Sequence, residues 1–371
     1  MRITRTSAVG AVALVGALAL SACGSDNTST GGSGAGAAAG TSAASSTGDC
    51  FSGQLDGEGS TAQKNAIEQA IKTFQQGCAD ATVNYNATGS GAGIKQFTSG
   101  NVAFAGSDSA LKPAEQTSAT ATCGSPAWDL PLVAGPIAVV YNLKGVDKLV
   151  LNADVMAKIF QGVITTWDDP AIKALNPGVT LPSTAIKVFF RSDDSGTTEN
   201  FTKYLNTVAP TSWPAKPAKK WAGKGEGKEK SAGVSSAVAQ TDGGITYTEL
   251  SYAKQNKLAM AQVDTGSGTP VELTAESAGK AIAVAKQSGV GNDLALKLDY
   301  ATKEPGTYPI VLVTYNIVCS KYKDAATAKK VKAFLTSFAS DATQQSFTDL
   351  GYAPLPADVA TKVKSAIAAI G

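Results

Sequence analysis

The sequence predicts an α/β fold of two lobes, each assembled from separate stretches of chain. Short β-rich apolar runs alternate with segments of helical spacing, the pattern of a mainly parallel, doubly wound sheet. Two apolar segments, 130–141 and 310–318, exceed ordinary strand length and have proline near the start or middle, so they read as crossings between lobes. Residues 50–371 are enough chain for two lobes of ordinary size.

Ahead of the fold, Arg2 and Arg5 precede an apolar run over 8–20 and small residues before Cys23, the layout of a secretory signal. That run of about thirteen residues is short of the roughly twenty that span a bilayer. Leu20-Ser21-Ala22-Cys23 resembles the lipobox of bacterial lipoproteins, which implies a signal peptide over 1–22 and lipid on Cys23. An ordinary signal whose cleavage site happens to precede a cysteine is the other reading. Residues 23–49 are almost wholly Gly, Ser, Ala and Thr and read as a flexible tether.

The first lobe opens with a strand at Gln54 and Leu55, a helix over 61–76, a strand over 82–86, the segment 94–98 and a strand over 102–104. Past the first crossing come a helix over 152–161, a strand over 186–190, a helix after Ser195, and a strand and helix around 244–255. Past the second, 325–338, 341–349 and 356–370 carry helical spacing and return to the first lobe. The division is therefore 50–140 plus 310–371 for lobe 1 and 141–309 for lobe 2. The Lys-, Gly- and Pro-rich stretch 216–230 reads as an exposed loop, with a basic docking patch as the alternative.

A hydrophobic content of 43% and a net charge of +2 describe a globular domain whose overall field favours neither nucleic acid nor an acidic polymer. The chain has no histidine, which removes Ser-His-Asp and Cys-His catalysis and histidine metal ligation together. With Cys23 set aside, Cys50, Cys78, Cys123 and Cys319 form an even set in an exported chain. Three pairings are open, and the strand reading favours Cys50 with Cys78 and Cys123 with Cys319, the latter closing two long antiparallel segments. Zinc is the alternative, but the cysteines lack the close spacing of zinc ligands.

Three Gly/Ser/Thr-rich turns each follow a strand and open a helix: Gly57 to Thr61, Thr88 to Gly93, and Asp194 to Thr198. A helix start presents unpaired N–H groups and partial positive charge, and glycine lets an anion approach the backbone. Any one turn is equally read as a cap, and Ser60 with Gln63 fits a capping box. Arg191 ends the strand 186–190 beside the third turn, where a guanidinium can grip two oxygens of an oxyanion; pairing with Asp193 or Asp194 is the alternative. Asp108 follows the strand 102–104 and points to the same cleft. A carboxylate suits an anion that still carries a proton, as phosphate does, and repels sulfate, which has none.

These residues resemble the phosphate-specific substrate-binding proteins of the PstS type. The resemblance runs through essentially the whole chain after Cys50, with Gly57 to Ala62, Gly89 to Gly93, Ala105 to Ser109, Ile164-Thr165-Thr166-Trp167, Arg191 to Thr198 and Gly351-Tyr352-Ala353-Pro354-Leu355-Pro356 as its motifs. It implies a two-lobe periplasmic-binding-protein fold (type II) that closes over inorganic phosphate by hinge motion, with the ligand in the interlobe cleft. It also implies phosphate contacts at Ser60, Thr61, the Ala62 backbone, Ser90, Asp108, Arg191, Ser195, Gly196 and Thr197. Ala62 departs from the larger apolar residue of many relatives, but only its N–H is asked to bind. Delivery to ABC transporter permease subunits follows from the resemblance alone, whereas anchorage on the extracellular face of the cytoplasmic membrane, by lipid only, rests on the first fifty residues. A monomer with no cofactor, no metal and no nucleic-acid partner is expected. A protein for another tetrahedral oxyanion (sulfate, molybdate) is the runner-up, and a secreted hydrolase or phosphatase using Ser195 or Asp108 the reading from another class.

Overall fold

The computed structural model describes residues 49–371. The signal over 1–22, Cys23 and the tether up to residue 48 lie outside the described residues. Chain order begins with β1 (Gly53–Gly59), α1 (Lys64–Gly77), β2 (Ala81–Ala87), α2 (Ser90–Thr98), β3 (Phe104–Ser107) and α3 (Pro113–Cys123), followed by the long β4 (Ala127–Asn142). Then come β5 (Val150–Asn152), α4 (Ala153–Phe160), α5 (Pro170–Leu175), β6 (Lys187–Arg191), α6 (Gly196–Val208), β7 (Glu226–Lys228), α7 (Lys230–Ala239), β8 (Gly244–Glu249) and α8 (Leu250–Gln255). Shorter elements, β9 (Ala259–Met260), β10 (Gln262–Asp264), α9 (Ala275–Ala283), β11 (Lys286–Gln287) and β12 (Leu296–Lys297), precede β13 (Val311–Cys319). The chain closes with α10 (Ala325–Phe338), α11 (Asp341–Ser346) and α12 (Ala357–Ala368).

The sheet runs β2-β1-β3-β13-β4-β8-β6-β7, with β9 added to β4. It is mixed, which corrects the mainly parallel reading. Parallel pairs of β1 with β2 and β3, and of β6 with β7 and β8, flank an antiparallel centre. There β13 pairs antiparallel with β3 and β4, and β4 with β8. The two crossings thus pair with each other, a partnership that local alternation does not encode.

β4 is shared along its length. Its first part, from Ala127 to Pro136, pairs with β13, and its second, from Ile137 to Asn142, with β8. The register shifts between Thr314 and Tyr315, which face Val133 and Pro131 and leave Leu132 unopposed. Pro131 has no N–H to give to the ladder, so a bulge belongs beside it.

Two large cores divide at the same strand. Leu130, Leu132 and Val133 join Phe74, Phe104, Phe334, Phe338 and Val363, whereas Ile137 onward joins Phe160, Trp167, Phe201, Trp213 and Tyr247. Helix α1 illustrates the local logic, with Ala66, Ile67, Ala70 and Phe74 forming its one buried stripe. The stretch 216–230 is more than the exposed loop expected of it. Trp221 stacks on Phe190 at 5.6 Å and on Tyr247 at 5.3 Å, Lys219 is buried, and β7 lies at its end. Its lysine and glycine content conceals one aromatic anchor.

Both favoured disulfides are present, Cys50 with Cys78 and Cys123 with Cys319. Their sequence separations are 28 and 196 residues, so cross-linking constrains the unfolded chain unequally. Replacing Cys123 and Cys319 by serine should therefore cost roughly 2 kcal/mol more than replacing Cys50 and Cys78. Urea unfolding midpoints of the two double variants test this, and equal losses would count against it.

Candidate functional site

Asp108 follows β3 directly and is buried. Its Oδ1 accepts hydrogen bonds from Ser60 Oγ at 2.5 Å and Thr314 Oγ1 at 2.7 Å, and its Oδ2 accepts from Ser90 Oγ at 3.1 Å. The Asp108 N–H donates to Ser90 Oγ at 3.2 Å, and Asn200 Nδ2 donates to the Asp108 carbonyl at 2.7 Å. Burial pushes this carboxyl up to about 6; the Ser60 and Thr314 bonds oppose the rise, and the nearby charge of Glu249 adds to it.

The first turn depends on glycine. Gly59 has φ +145°, and a Cβ there would lie 2.0 Å from the Gly106 carbonyl oxygen, so the end of β1 lies directly against β3. The Ser60 N–H donates to that same carbonyl at 2.8 Å. Ser60 Oγ accepts from the Ala62 N–H at 3.0 Å. Helix α1 starts only at Lys64, and its N-cap Gln63 makes no side-chain cap bond, so the Ser60–Gln63 capping box does not form. Gln63 instead bonds the Tyr85 hydroxyl and accepts from Asn316.

The other two turns open helices as expected. Gly89 caps α2 and Ser90 is its first residue, while Ser195 caps α6 by accepting from the Thr198 N–H at 3.2 Å. The cap uses a lone pair of Ser195 and leaves its hydroxyl proton as a donor. The start of α6 presses on the second turn and on Asp108. A Cβ built on Gly196 would lie 2.5 Å from Ser90 Oγ and 2.6 Å from Asp108 Cβ, so glycine is what allows the approach. The Gly91 N–H donates to the Asp194 carbonyl at 2.9 Å, and Thr61 Oγ1 lies 2.8 Å from Ser231 Oγ.

Arg191, at the end of β6, is 2% exposed. Its Nε donates to Asp193 Oδ1 at 2.7 Å and its Nη2 to Asp193 Oδ2, a bidentate pair. Burial works against the guanidinium charge, but the Asp193 pair outweighs it and holds the pKa above its ordinary value. Nη1 donates elsewhere, to Ser231 Oγ at 2.9 Å and to Thr197 Oγ1 at 3.4 Å. The pairing of Arg191 with Asp193, the alternative reading from sequence, is thus present, and the remaining nitrogen is directed at Ser231 and Thr197.

All nine sequence-chosen residues lie in this one region, whereas four of its members are not singled out by sequence. Thr314 sits mid-strand in β13, Ser231 on α7, and Glu249 at the end of β8. Glu249 is buried and accepts from Thr197 Oγ1 at 2.5 Å. Glu199, in the first turn of α6, is also buried; it accepts from Ser109 Oγ and lies within 3.5–3.7 Å of Lys112, Lys203 and Lys219. Burial alone would raise the Glu199 carboxyl, but Lys203, Lys219 and Lys112 hold it below the usual range. The only available signal was position, since Glu249 ends a strand as Arg191 does. Among the described residues, no group of three or more His, Cys, Asp or Glu is arranged to hold a metal ion.

A model of the PBP superfamily domain, PBP_like_2, matches residues 29–342. The chain is 47% identical over 375 residues to Phosphate-binding protein PstS 3 of Mycobacterium tuberculosis, covering 100% of both chains. The chain belongs to the PstS family of phosphate-binding proteins. It is also 46% identical to the PstS2 protein of Mycobacterium bovis, again covering 100% of each. Solved structures agree on the two-lobe binding-protein fold. A high affinity periplasmic phosphate-binding protein bound with phosphate matches with TM-score 0.68 at 24% identity, over 84% of this chain and 93% of that one. A phosphate ABC transporter substrate-binding protein from Clostridium perfringens matches with TM-score 0.60 at 19% identity, over 82% and 100%.

In this PstS family member Asp193 leaves Arg191 compensated where water cannot reach. Asp193→Ala should lower stability by about 3 kcal/mol, because the guanidinium loses its only carboxylate contact within salt-bridge distance among the described residues. Chemical denaturation of the variant measures the loss, and wild-type stability would mean that hydroxyls alone suffice to hold Arg191.

Proposed function

We propose that the protein binds inorganic phosphate outside the cytoplasmic membrane and delivers it to the permease subunits of an ABC transporter. The observation that carries the reading is Asp108, a buried carboxylate set among the donors that an oxyanion needs. The ligand contacts are Ser60, Thr61, the Ala62 N–H, Ser90, Ser195, Gly196, Thr197 and Arg191; the protons that Ser60 and Ser90 give to Asp108, Ala62 to Ser60 and Thr197 to Glu249 turn to the anion's oxygens when it binds, and Asp108 takes the proton of the ligand. Charge-assisted hydrogen bonds contribute about 1.5–3 kcal/mol each, whereas micromolar binding needs about 8 kcal/mol after desolvation, so several must act together. The full-length relatives named phosphate-binding protein support the choice of anion.

The working arrangement is a hinge between a lobe of residues 50–140 plus 310–371 and a lobe of residues 141–309. The change of core partners along β4, between Val133 and Ile137, supports a division there. The protein acts as a lipid-anchored monomer that captures and releases its ligand unchanged. Support for the anchor is the lipobox-like stretch ending at Cys23 and the glycine-rich tether behind it. No helix among the described residues is long and apolar enough to cross a membrane.

Asp108 decides between phosphate and sulfate, and its titration sets the sign. Above about pH 6 it is ionised and accepts only, so a fully ionised anion meets uncompensated repulsion. Titration calorimetry at pH 8 should show phosphate binding at least about a hundredfold tighter than sulfate. As pH falls through about 6, Asp108 gains a proton that it can donate, and the preference should shrink. Asp108→Asn should remove that pH dependence. Equal affinities for the two anions in the wild type at pH 8 would sink the reading. Separately, Cys23→Ala should release the protein from cell membranes on fractionation, and continued membrane retention would argue for a different attachment.

A further inference from the structure

A charged cluster beside the proposed phosphate contacts, with none of them among its members, joins the two lobes. Ser109, Lys112 and Glu115 belong to the chain before β4, and Glu199, Lys203 and Lys219 to the chain after it. Across that division Ser109 Oγ donates to Glu199 Oε2 at 3.0 Å, Lys112 Nζ lies 3.5 Å from Glu199 Oε1, and Lys219 Nζ donates to Glu115 Oε1 at 3.4 Å. Each half is also attached to a phosphate contact of its own lobe. Ser109 follows Asp108 directly, and the carbonyl of Lys219 accepts the N–H of Ser195, the cap of α6.

Neither carboxylate depends on the crossing for its compensation. Within its own lobe Glu199 has Lys203, one turn along α6 at 3.6 Å, and Lys219 at 3.7 Å. Glu115 accepts the Lys112 N–H at 2.8 Å in the capping box of α3. Parting the lobes therefore removes contacts without stranding a bare buried charge, the outcome that makes most buried ion pairs costly to break. The bonds across the division add a modest increment that can be given up and regained. Lys112 is 52% exposed and adds little, whereas Ser109 and Glu199 are both buried, so their charge-assisted bond carries most of it.

We infer that Glu199, with Ser109 and Lys112 opposite it, and the Lys219–Glu115 pair form a latch between the lobes that favours the closed arrangement and sets how slowly bound phosphate escapes. Glu199 is a positioning residue: it touches no ligand and acts by keeping the start of α6 against Asp108. The inference rests on the reading of the site as a phosphate site between two hinged lobes.

Rapid-mixing measurement of phosphate release, together with small-angle scattering of the phosphate-free protein, tests the latch on the full chain carrying Cys23→Ala, which lacks the proposed lipid site. Ser109→Ala combined with Lys112→Met should release phosphate about tenfold faster than the parent chain and should have a larger radius of gyration without ligand. Glu199→Gln added to that pair should change the release rate by less than about twofold, since the bonds it would weaken across the lobes are already gone. Glu115→Gln, at a partly exposed position that keeps the capping box, should speed release about threefold and serves if the double variant folds poorly. Lys203→Met removes a partner within one lobe, so it should lower the urea midpoint while release and radius stay as in the parent chain. Unchanged release and radius in Ser109→Ala/Lys112→Met, or equal acceleration by Lys203→Met, would overturn the inference and leave phosphate binding standing. Absence of phosphate binding by the parent chain would instead remove the phosphate reading and the inference with it.

Discussion

A carboxylate taken out of water must be surrounded by donors or it destabilises everything around it, and Asp108 imposes that condition on this fold. Its three hydroxyl donors come from the turn after β1, the start of α2 and the middle of β13. Each arrives by a different route through the sheet. The ordering of β1, β3 and β13 as neighbours is therefore also the ordering that satisfies one charge. Even with three donors, burial dominates and the carboxyl sits near 6, close enough to neutrality for proton exchange with an anion to matter.

The approach of α6 follows from the same economy of space. Two glycines, Gly59 and Gly196, remove the side chains that would hold backbone segments apart, and the α6 N-terminus then meets Ser90 and Asp108 directly. On the other flank, Glu199 collects Lys112 from the chain before β4 and Lys203 and Lys219 from the chain after it. Contacts between distant parts of the chain are thus polar around the site and apolar behind it. Polar contacts can be exchanged for water at small net cost, whereas the aromatic cores cannot.

Much of this was legible because local chemistry announces itself. The turns carry glycine and hydroxyls at strand ends, Arg191 closes the apolar run Val188-Phe189-Phe190, and α10 matches its apolar spacing over 325–338. The even cysteine set leaves three pairings, and the order of strands favours the two that are present. What escaped notice depends on long-range pairing: Thr314 is one hydroxyl in an apolar strand, and Ser231 meets Thr61 across 170 residues. Antiparallel pairing of the two crossings has no local signature either. Lys219 shows a different failure, since a stretch that looks solvated was held down by the rings of Trp221 and its neighbours.

The sharing of β4 between two sets of partners has a consequence before folding is complete. A strand of sixteen residues buried along almost its whole length is, in an unfolded chain, a long apolar β-former able to pair with copies of itself. Pro131 and Pro136 break that run at two points where no N–H can be offered, and the native sheet accommodates them with a bulge and a change of partner. Two prolines that look like defects in a strand thus act as gatekeepers against intermolecular stacking, at positions where the native register has already made room for them.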